Sequence, residues 1–356
     1  MKKDISMVEL FAGTGGFSIG FQNAGYNIKE HYFSEKNKHA IANFKYNFHG
    51  AKFLGPVANV SARQFYKPDV LTFGSPCQNF SLLGNRAGLA GTESILIMEA
   101  IRIISETQPS VFIWENVKGA FSSNARRDFW AILQAFANLR GYRFEWQLLN
   151  SKWILPQNRE RIFLIGHLDG RSFPGVFPFT ESDFRTAERA TNSPIIRTIT
   201  AGANSGGHHS SMTLIKDVSN KNNFGKNSNK QQDRVFDPNG IIGTLAGSRL
   251  EDKAKIITSG RGYIESDLKD YLGTITSSSF EQNTHLYFQN TIRRLTEIEC
   301  ERCQGLPDDW TRYGTYTKSG KEMTKEIAKT NRYKMIGNAV TAKMVQLIAE
   351  RINIIK

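Results

Sequence analysis

A chain of 356 residues, 40% hydrophobic and 11% aromatic, is long enough to bury a full core, and its length predicts one large domain with a smaller companion. No apolar run reaches the length of a membrane helix, and Lys2, Lys3, Asp4 and Ser6 break up the N-terminus before a signal sequence could build, so a soluble protein of the cytoplasm is expected. Three cysteines exclude a disulfide framework, and a net charge of +13 suggests a polyanionic partner without identifying one, because the excess is spread along the whole chain.

Residues 7–10 read as a short strand running into Phe11-Ala12-Gly13-Thr14-Gly15-Gly16-Phe17, with a helix over 18–24 and a stop at Gly25. Glycines between a strand and a helix let the backbone approach a nucleotide-like ligand while helix N-H groups face it, although such turns also serve plain packing. A second strand over 28–33 leads to Glu35, placed where an acid bonds ribose hydroxyls in dinucleotide folds. The third glycine of G-x-G-x-x-G would fall at Ser18, which argues against NAD and for another adenosyl ligand.

A strand over 69–73 then stops at Gly74-Ser75-Pro76-Cys77-Gln78-Asn79. A lone cysteine is more often a small buried hydrophobe, but Pro76 fixes the turn before this thiol and polar residues follow it, which suits a partly exposed nucleophile. A helix around 95–106, a strand over 111–114, a helix over 126–139 and strands over 142–149 and 162–166 continue the α/β alternation, which predicts a mostly parallel sheet. Ligands gather at the carboxyl ends of such strands, so Cys77 and Glu115, each placed just after a strand, can share one site. Arg159 and Arg161 should point to one side, suited to a phosphate or a base oxygen, or else to a surface ion-pair ladder.

From about residue 170 the texture turns to Gly, Ser, Asn and Thr. Three segments at 197–202, 242–247 and 272–277 share a Thr-Ile/Leu core and suggest short strands, and 220–232 reads as a loop that either touches phosphates or is only solvated. Thr296-Glu297-Ile298-Glu299 is a capping box for a helix ending at Gly305, within which Cys300 and Cys303 read as packing residues, since no second ligand pair accompanies the C-x-x-C. Residues 333–340 should lead into a helix that ends the chain.

In order, these blocks resemble the DNA (cytosine-5) methyltransferase family of bacterial restriction-modification systems. Residues 11–17 are similar to its S-adenosylmethionine loop, Pro76-Cys77-Gln78 to its nucleophile motif, and Glu115-Asn116-Val117 to its catalytic acid motif. The blocks at 157–161, at 294–305 and at Gly337-Asn338-Ala339-Val340 also match. The resemblance implies a Rossmann-like catalytic domain over 1–168, a smaller strand-rich target recognition domain over 169–290, and a segment over 291–356 that returns to complete the first.

It implies S-adenosylmethionine as cofactor, held by residues 11–17 with Glu35, Lys36, Val57, Leu96 and Asn338. It also implies duplex DNA as substrate, touched by Ser81, Arg86, Gln157 and Thr244. Cys77 would attack C6 of a flipped cytosine, Glu115 would stabilise the ring, Arg159 and Arg161 would hold O2 and a phosphate, and Pro76 and Asn116 would shape the pocket. A bacterial or phage-encoded monomer, working beside a separate restriction endonuclease, is expected. Two departures stand out: Pro56 takes the place of an aspartate expected at the cofactor adenine, with Asn59 nearby, and Glu93 takes the place of a basic residue after the loop over 79–92. An RNA cytosine-5 methyltransferase, a silent DNA-binding relative and an NAD-linked dehydrogenase are the rival readings.

Overall fold

The computed structural model describes residues 3–75, 92–119, 127–180, 183, 196–197, 256–257, 268–269, 285–288 and 291–355. Pro76, Cys77, Ser81, Arg86 and Thr244 lie outside them, as do the loop over 220–232 and the Thr-Ile/Leu cores at 242–247 and 272–277.

Seven strands form the central sheet: β1 (Lys3–Leu10), β2 (Tyr26–Ser34), β3 (Lys52–Phe53), β4 (Val70–Gly74), β5 (Val111–Val117), β6 (Tyr142–Asn150) and β7 (Glu160–Leu168). Their order is β3-β2-β1-β4-β5-β7-β6, parallel from β3 to β5 and antiparallel where β7 meets β5 and β6. This is the expected α/β class with a mostly parallel sheet.

Both faces of the sheet are covered at its centre, which is why β4, β5 and β7 are buried along almost their whole length. The two-residue period still sorts them. Val8, Leu10, Leu71, Phe73, Phe112 and Trp114 face one core with α3 (Thr92–Thr107) and α4 (Arg127–Ala137). Met7, Val70, Val111 and Ile113 face the other, with α1 (Gly16–Asn23) and the C-terminal helix.

The chain after 291 continues through α5 (Glu297–Cys303) and α6 (Lys329–Asn338) to α7 (Ala342–Arg351), which packs on this second face with Met344, Val345 and Ile348. Helix α5 begins at the expected capping box: Glu299 N–H donates to Thr296 Oγ1 at 3.2 Å, and Thr296 N–H donates to Glu299 Oε2 at 2.8 Å. Cys300 and Cys303 on α5 are free and buried, and burial raises both thiols above their ordinary range, which suits packing and not reactivity.

Three features differ from the sequence-based expectation. Strand β5 does not stop at Trp114. Its antiparallel partner β7 extends it to Val117, so Glu115 and Asn116 lie within the strand instead of after it. Residues 333–338 do not merely lead into the last helix but are already helical in α6. Helix α2 (Lys38–Asn47) escaped notice because its apolar periodicity is weak; Asn37 caps it, accepting from the His39 and Ala40 N–H groups at 2.9 and 3.3 Å. Among the described residues, no helix is long and apolar enough to cross a membrane.

Candidate active site

The glycine turn joins β1 to α1 through backbone shapes that side chains resist. Phe11, Gly13 and Gly15 have φ of 52°, 55° and 80°. At Gly15 a Cβ would also lie 2.3 Å from the Phe48 ring, and at Gly16 it would lie 2.6 Å from Val340. Glycine is therefore required twice over, by conformation and by packing, which is the packing reading of the turn. The contact with Val340 brings the 337–340 block onto the loop. Ala12 N–H donates to Ser34 O at 3.0 Å, which ties the loop to the end of β2, and Phe17 on α1 is buried in the second core.

Glu35 sits at the end of β2, and its carboxylate accepts from three backbone N–H groups: Gly13 at 2.9 Å, Lys36 at 2.8 Å and Asn37 at 2.9 Å. A carboxylate offers about four acceptor sites, so room remains for one ligand hydroxyl. Thr14 is buried, and its Oγ1 has no hydrogen-bond partner. An orphaned hydroxyl in a glycine loop and an acceptor site left on Glu35 fit a polar ligand with hydroxyl and amine groups. Val57 is buried beside the exposed Pro56, which begins a single 3-10 turn over Val57–Asn59, and Asn59 is exposed. Pro56 offers no side-chain acceptor where an aspartate was expected. Lys36 and Asn338 are exposed, and Leu96 is half-buried against the first core.

Sequence reading missed what lies beneath this loop. Glu9, buried in β1, takes the Ser18 hydroxyl and the Ser18 N–H on its Oε2, and Ser18 Oγ meets His31 Nε2 at 2.8 Å. Burial pushes the Glu9 carboxyl up to about 8, against the pull of its bonds to Ser18, and burial holds His31 down to about 4. Its only sequence signal was an acid inside an apolar strand directly before a glycine turn.

The second half of the site lies where β4 and β5 end. Gly74 pairs with Glu115 in register, and a Cβ on Gly74 would stand 3.2 Å from Glu115 Oε2. Arg161 Nε lies 3.0 Å from Glu115 Oε1 and Arg159 Nη2 lies 4.0 Å from the same oxygen, so both guanidiniums do point to one side. They meet a carboxylate within the site, not a surface ladder, and all three side chains are buried. Arg159 is further fixed by the main chain of the 337–340 block, donating to Ala339 O at 2.8 Å and Gly337 O at 3.5 Å. Arg161 donates to Glu160 O at 2.8 Å.

Asn116, expected to shape the pocket, is buried. Its Nδ2 and Trp114 Nε1 both donate to Ser75 Oγ at 3.0 Å, which anchors the chain one residue before Pro76. Gln157, expected at the DNA, is fully buried, and its Nε2 donates to Cys303 O at 2.7 Å. A DNA contact would require its exposure. The structure thus brings together Glu115, Arg159, Arg161, Asn116 and the 337–340 main chain at one end of the sheet, and the 11–17 loop with Glu35 at the same end.

Comparison with known proteins gives the family. A family profile described as C-5 cytosine-specific DNA methylase matches residues 5–353. The Type II methyltransferase M.Bsp6I of Bacillus sp. (strain RFL6) is 28% identical over 98% of this chain and 98% of its own length. The Type II methyltransferase M1.ScrFI of Lactococcus lactis subsp. cremoris is 26% identical over 97% of this chain and 77% of its own length. Among solved structures, the Dnmt2 methyltransferase of S. pombe aligns with a TM-score of 0.52 and 18% identity over 97% of each chain, a likeness of fold alone. With a match along nearly its whole length, the chain belongs to the C-5 cytosine-specific DNA methylase family.

Proposed function

We propose that this protein methylates C5 of a cytosine within a short sequence of duplex DNA, with S-adenosylmethionine as methyl donor and Cys77 as nucleophile. The observation that carries the reading is the convergence of Glu115, Arg159 and Arg161 in register with Gly74, on the strand that leads to Pro76-Cys77. C5 of cytosine is a poor nucleophile. Adding the Cys77 thiolate to C6 returns electron density to C5, and Glu115, as a carboxylic acid or hydrogen-bond partner at N3 and N4, stabilises the charge that develops in the ring. Arg159 and Arg161 orient Glu115 and offer positive charge to O2 and a nearby phosphate. When bound, S-adenosylmethionine supplies an electrophilic methyl group. Glu35 would hold its hydroxyls, with the 11–17 loop, Thr14 and Val57 around it. Once C5 has taken that methyl group, its proton passes to solvent water, the C–H electron pair re-forms the C5–C6 double bond, and the Cys77 thiolate leaves. The target base must be flipped out of the duplex, at roughly a few kcal/mol of lost stacking and pairing.

The return of 291–355 onto the sheet supports a catalytic unit built from 1–168 and 291–356, with 169–290 between them as the target recognition part. The Type II methyltransferases of Bacillus and Lactococcus among its relatives support a bacterial setting. The test is transfer of labelled methyl groups from S-adenosylmethionine to unmethylated plasmid DNA and, in parallel, to tRNA. Wild-type protein should label DNA, and Cys77→Ala should abolish labelling while keeping the melting temperature. Turnover by Cys77→Ala would sink the mechanism, and labelling of tRNA alone would overturn the substrate.

A further inference from the structure

Residues 313–326, between α5 and α6, fold into an antiparallel hairpin of β8 (Tyr313–Lys318) and β9 (Lys321–Glu326). Its turn is set by Ser319 and Gly320, with φ of 51° and 75°. The hairpin is docked on α2 by named contacts. Asn43 Nδ2 donates to Tyr313 O at 2.9 Å, a Cβ on Gly314 would stand 2.9 Å from Ala42 Cβ, and Tyr316 Oη meets His39 Nδ1 at 2.8 Å. Strand β8 therefore runs from the C-terminal end of α2 towards its N-terminal end. The turn projects past His39, towards the C-terminal end of β2, where Glu35 follows Ser34.

The register divides the hairpin's charges between its two faces. Gly314 pairs with Lys325, Tyr316 with Met323 and Lys318 with Lys321, and these share the face that carries the contacts to α2. Tyr313 pairs with Glu326, Thr315 with Thr324 and Thr317 with Glu322, and these occupy the other face. All three lysines thus lie on one face and both glutamates on the other. Glu326 is engaged by Arg312 at 3.0 Å, whereas among the described residues none of the three lysines is in an ion pair. Lys318 directly opposes Lys321, an unfavourable cross-strand pair of like charges, and exposed Lys38 at the start of α2 adds to the same end. A folded element that sets lysines against each other without a partner is relieved by an anion.

We infer that Lys318 and Lys321 at the hairpin turn, with Lys38, form an accessory contact for backbone phosphates of duplex DNA flanking the target cytosine. The inference rests on the reading that DNA is the substrate. Strands β2 and β5 are three positions apart in the sheet. At ~4.8 Å per strand the lateral offset is ~14 Å, about four base pairs along a duplex. The contact is electrostatic, so it raises affinity on every sequence and does not help choose the target.

The test compares wild-type protein with the variant Lys318→Gln/Lys321→Gln on unmethylated plasmid DNA, measuring methyl transfer and equilibrium binding across a salt series. The expected result is a higher KM for DNA and a slope of log affinity against log salt shallower by about two, as for the loss of two phosphate contacts. The rate at saturating DNA, the affinity for S-adenosylmethionine and the melting temperature should stay unchanged, and Lys318→Arg/Lys321→Arg should keep the wild-type slope. An unchanged salt slope in a variant that still methylates DNA overturns the hairpin contact alone. A wild-type protein that labels no DNA overturns the substrate reading and the contact with it.

Discussion

The two ends of the site treat their carboxyl groups in opposite ways. Where β5 meets β7, Glu115 is matched by full positive charge, with Arg161 at 3.0 Å and Arg159 at 4.0 Å. Where β1 meets β2, no cation among the described residues stands at hydrogen-bond distance: Glu35 is held by backbone N–H groups and Glu9 by the Ser18 hydroxyl and the Ser18 and Phe17 N–H groups. Guanidiniums hold a buried carboxyl in place with charge, while the hydroxyl under Glu9 leaves burial to push that group up to about 8. The first arrangement suits a group that must act on a charged ring. The second suits a support that props a loop without placing a field where a sulfonium cofactor would bind.

Substitution at Glu115 breaks the contrast most severely. Glu115→Gln keeps the shape and loses the acid, and methyl transfer should fall by roughly two to four orders of magnitude with little change in affinity for S-adenosylmethionine. A near-normal rate would remove Glu115 from the acid role. Next is Arg159→Met, which strips a buried cation from Glu115 and leaves two main-chain carbonyls of the 337–340 block without their donor. Unfolding in urea should show a loss of about 3 kcal/mol, and an unshifted midpoint would show that the ion pair is not structural.

The smallest effect is expected at the other end, from Glu9→Gln. The Glu9 carboxyl is raised from 4.5 to about 8 on folding, so its contribution to stability is complete below 4.5 and is lost as pH rises through 8. His31 is lowered from 6.5 to about 4, so its contribution is complete above 6.5 and is lost as pH falls through 4. Between pH 6.5 and 8 only the Glu9 slope remains. Wild-type protein should lose stability with rising pH across that window, and Glu9→Gln should flatten the curve. A melting temperature with the same slope in both proteins would show that Glu9 does not hold its proton on folding.

The same contrast explains what could be read from the chain before its fold was known. Glycine turns and strand exits carry local signals, so the 11–17 loop and Glu35 were legible from residue order alone, whereas Glu115 was expected just past a strand that in fact runs on to Val117. Arg159 and Arg161 were legible as a pair because a two-residue spacing fixes a common side. Partners contributed by distant segments were not legible. Nothing in 337–340 announces that its carbonyls receive Arg159, and the capping-box helix gave no sign that its Cys303 carbonyl would bury Gln157. Ser18 and His31, 13 residues apart, become neighbours of Glu9 only when β1, α1 and β2 assemble. The hairpin was missed for another reason: its lysines alternate with polar residues, and only strand pairing reveals that all three share a face.

Strand β7 runs against β5, so the arginines belong to chain entering the sheet while Glu115 belongs to chain leaving it. Their meeting is fixed by the pairing of Val117 with Arg161, not by the length of what lies between. That stretch is no free linker, because it carries α4, packed in the first core, and β6, paired with β7 from Tyr142 to Asn150. A single residue inserted between Arg161 and Phe163 would turn the guanidinium to the wrong face and uncouple it from Glu115.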